Sequence, residues 1–231
     1  MDIQIKKQLF DFLCNYITAN KLEKIERVAA NRTKYLTIVL EDLYQSQNAS
    51  ATLRTSEGFG LQEVYVIENR NKFEINKVVT QGASKWLDIY RYNKKNHDNT
   101  TDCIRALKEK GYRIVATTLA EKSRPLLELP IDSKTALLFG AEDEGLTETA
   151  LSLADEWVTI PMFGFSQSFN ISVSVAICLF HLTTKLRNSE IEWRLSEEEL
   201  LDVKIKWAKK IIPRADVLER NFLKGMRANT T

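Results

Sequence analysis

The chain contains few of the residues from which metal sites and disulfide networks are built. It has three cysteines, Cys14, Cys103 and Cys178, and two histidines, His97 and His181, among 231 residues. The cysteines are scattered, without a Cys-x-x-Cys pair or a cysteine–histidine group, which disfavours both a zinc site and a set of disulfides. His97 lies in a polar run, so we expect it at the surface. His181 lies in an apolar helical stretch, so we expect it in the core or at an interface. We therefore predict a cytoplasmic protein with no bound metal.

Glycine-rich phosphate-binding turns are also missing. Gly58 and Gly60 are followed by Gln62 and Glu63, so the Gly-x-Gly-x-x-Gly pattern of dinucleotide sites is broken. The sequence contains no Gly-x-x-x-x-Gly-Lys-Ser/Thr segment either. A nucleotide-like ligand would have to be held in some other way.

Only one stretch of the chain is long and free of charge. Residues 157–184 contain no Asp, Glu, Lys or Arg, and a run of that length raises the question of a membrane span. Pro161, Gly164 and several Gln, Ser and Asn residues interrupt the run, so we predict a buried strand, a loop and a buried helix instead. At the N-terminus Asp2 and Lys6 precede any long apolar run, so neither a signal peptide nor a membrane association is expected.

Charge is unevenly distributed along the sequence. Residues 1–35 and residues 182–231 each have a net charge of +3, whereas residues 36–181 have a net charge of −4. Basic flanks around a slightly acidic centre are typical of a central domain that leaves the attraction of phosphates to its extensions. Ordinary solvation of exposed helix faces explains the same distribution equally well.

Apolar runs and helical patterns alternate through the middle of the chain. Short apolar runs predict strands at 36–40, 63–67, 113–117, 136–139 and 157–160. Apolar residues at helical spacing predict helices at 9–17, 103–110 and 171–186. Strands separated by helical segments favour an α/β fold with a mainly parallel sheet.

Two further helices are predicted from the residues at their ends. Residues 48–50 can cap a helix that includes Arg54 and ends at Gly58 or Gly60. Residues 196–199 form a Ser-Glu-Glu-Glu capping box that begins a last helical segment. Four lysines crowd the polar sides of that segment, namely Lys204, Lys206, Lys209 and Lys210.

Three polar segments stand out against this background. The first, 48–60, begins with Asn48 and includes Arg54; the second, 138–146, has Glu142 between two glycines. The third, 160–176, contains Ser168 and Asn170. In order, residue types and spacing, these segments resemble the three signature motifs of the SpoU/TrmH group of knotted (SPOUT) RNA 2′-O-ribose methyltransferases.

The resemblance implies a particular architecture. It predicts an α/β fold with a mainly parallel sheet and a C-terminal trefoil knot, flanked by helical extensions at both ends. The corresponding domains are an N-terminal extension at 1–35, a methyltransferase domain at 36–186 and a basic C-terminal extension at 187–231. Members of the group are homodimers, and the charge-poor helix 171–186 is the candidate dimer interface.

The resemblance also implies S-adenosyl-L-methionine as methyl donor, without a metal. In the group the donor is bound by loops after three strands, mostly through backbone hydrogen bonds. An apolar slot with a few backbone donors and acceptors suits adenine, and glycines allow close approach of the backbone. In this sequence the corresponding residues are Thr117, Thr118, Leu119, Gly140, Glu142, Ile160, Met162, Ser168 and Phe169.

The catalytic residues implied by the motifs are Arg54, Asn48, Glu142, Ser168 and Asn170. In the group the arginine activates the ribose 2′-hydroxyl, yet a guanidinium with a pKa above about 12 stays protonated and is a poor base. A consistent alternative is that Arg54 holds an RNA phosphate and stabilises the developing alkoxide by its charge. Both roles stay open. The expected RNA contacts are Arg54 together with Lys204, Lys206, Lys209 and Lys210.

The short N-terminal extension favours the tRNA-directed branch of the group, which methylates a guanosine ribose in the D-loop. Residues 80–86 also resemble a segment of that branch, although Gln81 stands where a small residue is expected. In the third motif, Phe169 stands where leucine is usual. Three alternatives remain: a ribosomal RNA 2′-O-methyltransferase, a non-catalytic RNA-binding or ribosome-assembly factor on the same fold, and a knotted base methyltransferase.

Overall fold

The computed structural model describes residues 1–228, which form two compact units. One unit contains residues 33–193, and the other joins residues 1–32 to the segment that begins at Arg194. The larger unit contains seven strands: β1 (Leu36–Glu41), β2 (Glu63–Ile67), β3 (Asp88–Tyr92), β4 (Arg113–Thr117), β5 (Arg124–Pro125), β6 (Thr135–Phe139) and β7 (Glu156–Thr159).

The strands form one sheet in the order β3-β2-β1-β6-β4-β7-β5, and each of its pairings is parallel. The predicted α/β fold with a mainly parallel sheet is therefore confirmed, and the five predicted strands are present within one residue of their bounds. Strands β3 and β5 were not predicted. β3 is a partly exposed edge strand whose sequence contains Asp88 and Arg91, and β5 is a two-residue strand that contains a proline. The trefoil knot stays a prediction.

The described residues also form nine α-helices. They are α1 (Ile3–Cys14), α2 (Ala19–Ala29), α3 (Ser46–Gly58), α4 (Lys77–Thr80), α5 (Asn99–Glu109), α6 (Glu148–Leu153), α7 (Ile171–Arg187), α8 (Glu197–Ile211) and α9 (Ala215–Ala228). Short 3₁₀ turns lie at Ala83–Trp86 and Leu126–Glu128.

Helices cover both faces of the sheet because successive strand residues point to opposite sides. Ile38 and Leu40 of β1 pack in one apolar cluster with residues of α3 and α7. Val39, between them, packs in the other cluster with residues of α5 and α6. The sheet is thus buried on both sides, and its carboxyl-terminal edge is left for the loops that follow the strands.

The start of α3 corrects one prediction. The helix begins at Ser46 with Gln45 at the N-cap, so Asn48 lies inside its first turn and caps nothing. The amide of Asn48 is instead hydrogen bonded to side chains outside the helix, which removes it from a capping role. The predicted end at Gly58 is confirmed.

The smaller unit is a helical assembly of α1, α2, α8 and α9. Its apolar cluster includes Leu9 and Leu13 of α1 and Ala208 of α8. The predicted capping box of α8 is confirmed, since Ser196 accepts a hydrogen bond from Glu199 N while the Glu199 carboxylate accepts one from Ser196 N.

The charge-free run folds as predicted into a strand, a loop and a helix with buried residues. It supplies most of β7, the loop 160–170 and most of α7. Within residues 1–228 no helix is both long enough and apolar enough to cross a lipid bilayer.

Candidate active site

The loops that follow β4, β6 and β7 surround one cavity of about 330 Å³, here called the inner cavity. Ligand sites of open parallel sheets form at the carboxyl ends of their strands, where these loops meet. All nine residues that the family resemblance predicts to bind the donor line this cavity: Thr117, Thr118, Leu119, Gly140, Glu142, Ile160, Met162, Ser168 and Phe169. Their role in binding a methyl donor stays a prediction.

A tight turn forms one wall of the inner cavity. Gly145 N donates a hydrogen bond to Ala141 O at 2.9 Å, and Gly145 adopts a positive φ of 71°. A Cβ atom on Gly140 would lie 2.1 Å from the carbonyl carbon of Gly145. That distance excludes any side chain, so glycine is required at position 140 for the chain to fold back on itself.

Three predicted catalytic residues are joined by hydrogen bonds around Glu142, which lines the inner cavity. Glu142 Oε1 accepts hydrogen bonds from Asn48 Nδ2 at 2.9 Å and from Asn170 Nδ2 at 2.7 Å. The two asparagines are themselves linked, with Asn170 Nδ2 donating to Asn48 Oδ1 at 3.1 Å. Residues that are 94 and 28 positions apart in the sequence are thus joined into one polar cluster.

Each member of this cluster is held by its own element. Asn170 is the N-cap of α7, where its Oδ1 accepts a hydrogen bond from Ser172 N at 2.9 Å. Its Nδ2 group is thereby turned away from the helix and toward Glu142. Asn48 lies in the first turn of α3 and also donates to Gln45 Oε1 at 3.0 Å. The predicted capping role of Asn170 is therefore confirmed, and its role in the active site stays a prediction.

Arg54 and Ser168 do not join the cluster. Ser168 lines the inner cavity, whereas the exposed guanidinium of Arg54 has no hydrogen-bond or ion-pair partner among the described residues. Arg54 lies six residues after Asn48 on α3, which is about 9 Å along the helix axis. A single chain therefore assembles three of the five predicted catalytic residues and leaves Arg54 at the surface.

The four lysines predicted to contact RNA fall into two pairs. Lys204 forms an ion pair with Glu26, and Lys209 forms ion pairs with Glu219 at 2.5 Å and with Asp216 at 3.4 Å. Lys206 and Lys210 are exposed on α8. The first pair is therefore engaged in ion pairs within its own unit.

Burial suppresses the reactivity of the thiols near the sheet. Burial raises the pKa of Cys178 to about 12 and that of Cys103 further still, so both stay protonated at neutral pH and neither is a nucleophile. Burial, together with the charge of Lys185, lowers the pKa of His181 on α7. Its Nε2 atom is buried without a hydrogen-bond partner in the described part of the chain, in agreement with the predicted core or interface position.

Two further cavities adjoin the cluster and were not predicted from the sequence. One, of about 260 Å³, is lined by Asn48 and Glu142 together with Tyr44, Gln45 and Asn71. The other, of about 600 Å³, shares the last three residues. We call these two cavities the outer groove. Most of its residues follow β1 and β2, whereas Glu142 and its neighbours follow β6. Their place after parallel strands was the signal that could have identified them.

The fold is shared with a known RNA-modifying enzyme. The crystal structure of the A. aeolicus TrmH/SpoU tRNA modifying enzyme has a TM-score of 0.74 and 29% sequence identity to this chain, covering 84% of this chain and 98% of that one. The sequence model of the SpoU rRNA Methylase family matches residues 35–180, more than half of the chain. The chain therefore belongs to the SpoU rRNA Methylase family.

Curated relatives extend the similarity beyond the matched domain. A tRNA (guanosine(18)-2′-O)-methyltransferase of Borreliella burgdorferi is 44% identical over 219 residues, which are 95% of this chain and 98% of the relative. An enzyme of the same description from Thermus thermophilus is 36% identical over 163 residues, 71% of this chain and 81% of the relative.

Proposed function

We propose that this protein transfers a methyl group from S-adenosyl-L-methionine to the ribose 2′-oxygen of a guanosine in the D-loop of tRNA, namely guanosine 18. The observation that supports it best is the 44% identity to a relative of that description across 95% of the chain. The cluster of Asn48, Glu142 and Asn170 beside the inner cavity supports the same reaction class, because the three predicted motifs meet there.

The extent of the similarity favours tRNA over ribosomal RNA. The family model, whose description names ribosomal RNA, covers only residues 35–180. The similarity to the Borreliella enzyme covers 95% of the chain, so it includes most of the helical unit formed by the two chain ends. In the proposed arrangement the basic flanks, rather than the slightly acidic central domain, determine which RNA is bound.

The inner cavity fits S-adenosyl-L-methionine in size and chemistry. Its walls combine apolar side chains such as Leu119, Ile160 and Met162 with the carboxylate of Glu142. Because Gly140 has no side chain, its backbone can lie in the cavity wall and form hydrogen bonds with an adenine edge. The bound donor supplies a methyl group on a sulfonium, which is already activated for transfer.

Glu142 is the residue through which the cluster faces the ribose. Both amide hydrogen bonds go to Oε1, and Oε2 has no hydrogen-bond partner among the described residues. We infer that Oε2 accepts a hydrogen bond from a ribose hydroxyl and fixes the sugar next to the inner cavity. Asn48 and Asn170 hold the carboxylate in this orientation, because each amide is itself fixed by a further contact.

Arg54 stabilises the negative charge that develops on the 2′-oxygen. Its guanidinium holds a phosphate of the RNA with two parallel hydrogen bonds and remains charged throughout the reaction. The proton leaves through that phosphate or through a water molecule. Fixed donors of this kind act on the transition state because they need no reorientation when charge appears.

A homodimer accounts for the separation of Arg54 from the cluster. Large apolar side chains are exposed on the loop between β7 and α7 and on α7 itself, with Phe163 98%, Phe165 110% and Phe180 64% exposed. Exposed apolar groups of this size are typical of protein contact surfaces. We propose that a second copy covers this surface and completes each active site with its own Arg54, and that the protein works in the cytoplasm, which agrees with its three free thiols.

Methylation of bulk RNA tests the proposed activity. The protein is incubated with labelled methyl donor and either total tRNA or total ribosomal RNA, and the RNA is then digested to nucleosides. We expect label in 2′-O-methylguanosine from tRNA and none from ribosomal RNA. Label in a methylated base, or in neither RNA, would refute the proposed function. Label in ribosomal RNA alone would identify the protein as a ribosomal RNA 2′-O-methyltransferase instead.

A further inference from the structure

The outer groove lies next to the residues proposed to hold the ribose. Its first cavity is lined by both Asn48 and Glu142, and Tyr44 lines both of its cavities. A nucleotide whose ribose contacts Glu142 must place its base within a few ångströms of that carboxylate. The outer groove is the adjoining space that is not already assigned to the methyl donor.

Asp42 fixes the two loops that form the groove. It is 2% exposed and has a φ of 51°, in the left-handed region that few residues other than glycine adopt. Its Oδ1 atom accepts backbone hydrogen bonds from Asn69 and Arg70, each at 2.8 Å, and from Asn71 at 3.3 Å. Asn71 returns a hydrogen bond from Nδ2 to Asp42 O at 2.8 Å. The loop after β1 and the loop after β2 are thus one rigid element, which is what a recognition surface requires.

This element holds a guanidinium at the groove. Arg70 lines the outer cavity and forms an ion pair with Glu144, which lies two residues after Glu142. Its Nε atom lies 3.7 Å from Oδ2 of Asp42, a buried oxygen that has no hydrogen-bond partner within the described residues. The side chain of Arg70 is nevertheless 53% exposed. The two carboxylates therefore orient the fork of Arg70 while leaving part of it open to a ligand.

An exposed aromatic ring completes the groove. Tyr44 is 81% exposed, although it lies in the short segment between a fully buried strand and α3. A ring in this position offers a flat face to a nucleobase, and stacking on such rings is worth about 1–3 kcal/mol per base. Burial against the core does not explain the ring, because so much of its surface faces solvent.

We propose that the outer groove binds the target nucleobase, with Tyr44 stacked on the base and Arg70 selecting guanine. This inference rests on the proposed function, since it assumes that the ribose lies at Glu142. The O6 and N7 atoms of guanine are both hydrogen-bond acceptors and match the two donors of an arginine fork. Adenine has a donor group in place of O6, so the same fork rejects it.

The selection by Arg70 is tested with tRNA transcripts that carry guanosine, 7-deazaguanosine or adenosine at the target position. For the wild-type protein we expect 7-deazaguanosine, which lacks the N7 acceptor, to bind and react less well than guanosine. In Arg70→Gln the preference for guanosine over adenosine should fall by about tenfold or more, as expected when a bidentate pair of hydrogen bonds is removed. Arg105→Gln, an exposed arginine on α5, is the matched control.

The stacking role of Tyr44 has its own comparison. Tyr44→Ala should weaken binding of the transcript by roughly tenfold, and Tyr44→Phe, which keeps the ring, should restore most of that affinity. Tyr16→Ala is the matched control, because Tyr16 is 50% exposed on the helical unit. Equal effects of the alanine and phenylalanine variants would exclude stacking.

Two readouts separate this inference from the proposed function. Methyl transfer by the wild-type protein tests the activity, whereas equilibrium binding of the transcripts in the presence of saturating S-adenosylhomocysteine tests the groove. If no RNA is methylated but Arg70→Gln still loses the preference for guanosine in binding, the activity is refuted and the groove stands. If the Arg70→Gln variant keeps the full guanosine preference in both readouts, the groove does not read the base.

Discussion

The inner cavity and the outer groove adjoin each other but are built in different ways. One wall of the inner cavity is shaped by backbone, because the turn from Gly140 to Gly145 leaves no room for a side chain at position 140. The outer groove is shaped by long side chains, Tyr44 and Arg70, on loops that Asp42 ties together. A donor molecule that never changes is well served by a backbone cradle, whereas selection among RNA bases requires side chains that present specific groups.

Glu142 lies where the two regions meet. It lines the inner cavity and also the outer groove, and its orientation is set by Asn48 and Asn170. Substitutions on one side should therefore alter one binding event and spare the other. Separate measurements of donor affinity and of RNA methylation for each variant test this expectation.

The largest effect is expected on the RNA side, at Arg54. Arg54→Ala should lower the single-turnover rate by about 10²–10³ because the substitution removes a fixed positive charge from the transition state. Arg54→Lys should retain part of the activity, since it keeps the charge but not the fork. Donor affinity measured by calorimetry should hardly change in either variant.

The pH profile of the same variants separates two roles for Arg54. If arginine were a literal base, the lysine variant would equal or exceed the wild type at alkaline pH, because lysine loses its proton more readily. A lysine variant that stays below the wild type from neutral to alkaline pH agrees with stabilisation by a fixed charge. An alanine variant with full activity would remove Arg54 from the site.

The next effect is expected on the donor side, at Gly140. Gly140→Ala places a Cβ atom against the backbone of Gly145, so the turn must open and the cavity must change shape. Overpacking of this kind costs roughly 1–3 kcal/mol of folding stability, and the distorted cavity should bind the donor more weakly than the wild type does. Calorimetry with S-adenosylhomocysteine measures the affinity. Gly58→Ala is the control, because a Cβ there meets nothing within 4 Å, and equal affinity of the two variants would contradict the backbone cradle.

A smaller effect is expected from the lysines of α8. Lys206→Gln with Lys210→Gln should weaken tRNA binding and lower the slope of log affinity against log salt concentration by roughly 1 for each phosphate that is no longer neutralised. Lys204→Gln with Lys209→Gln should change the thermal stability more than the slope, because both lysines are ion paired within their unit. Identical slopes for the first pair and the wild type would assign Lys206 and Lys210 to ordinary solvation.

The smallest effect is a pH dependence of stability from His181. Its pKa is lowered below the ordinary 6.5, so the folded chain binds fewer protons than the unfolded chain in that range. The stabilising contribution is complete above pH 6.5 and disappears as the pH falls through the lowered pKa. Between pH 7.5 and 5.5 the Tm of His181→Gln should fall less than that of the wild type. A His181→Gln variant whose Tm falls as much as that of the wild type would contradict this assignment.

Much of the fold was predictable from local sequence signals. The buried parallel strands are continuous apolar runs such as 63–67, and buried strands of this type need no long-range information to be recognised. The edge strand β3 was not recognised, because its charged residues reflect solvent on one side rather than burial. The start of α3 was misplaced because Asn48 has the residue type of a cap but bonds to Glu142, which is 94 positions away.

The residues of the candidate site also differ in whether they could be predicted from the sequence. Nine of the residues that line the inner cavity were predicted from the resemblance to the family. Tyr44 and Arg70 belong to no motif, and their relation depends on Asp42, which joins two loops through hydrogen bonds over 27 to 29 positions. Lys204 and Lys209 were assigned to RNA from charge alone, because their ion-pair partners on other helices are not visible in the local pattern.

Methylation of a single tRNA transcript tests the central claim most directly. The protein is given labelled S-adenosylmethionine and a transcript with either guanosine or 2′-deoxyguanosine at position 18, the position named in its relatives. We predict one labelled 2′-O-methylguanosine, located at position 18, and no label in the deoxy transcript. Label at another position, label on a base, or equal label in the two transcripts would contradict the assignment of this protein as a tRNA guanosine-18 ribose methyltransferase.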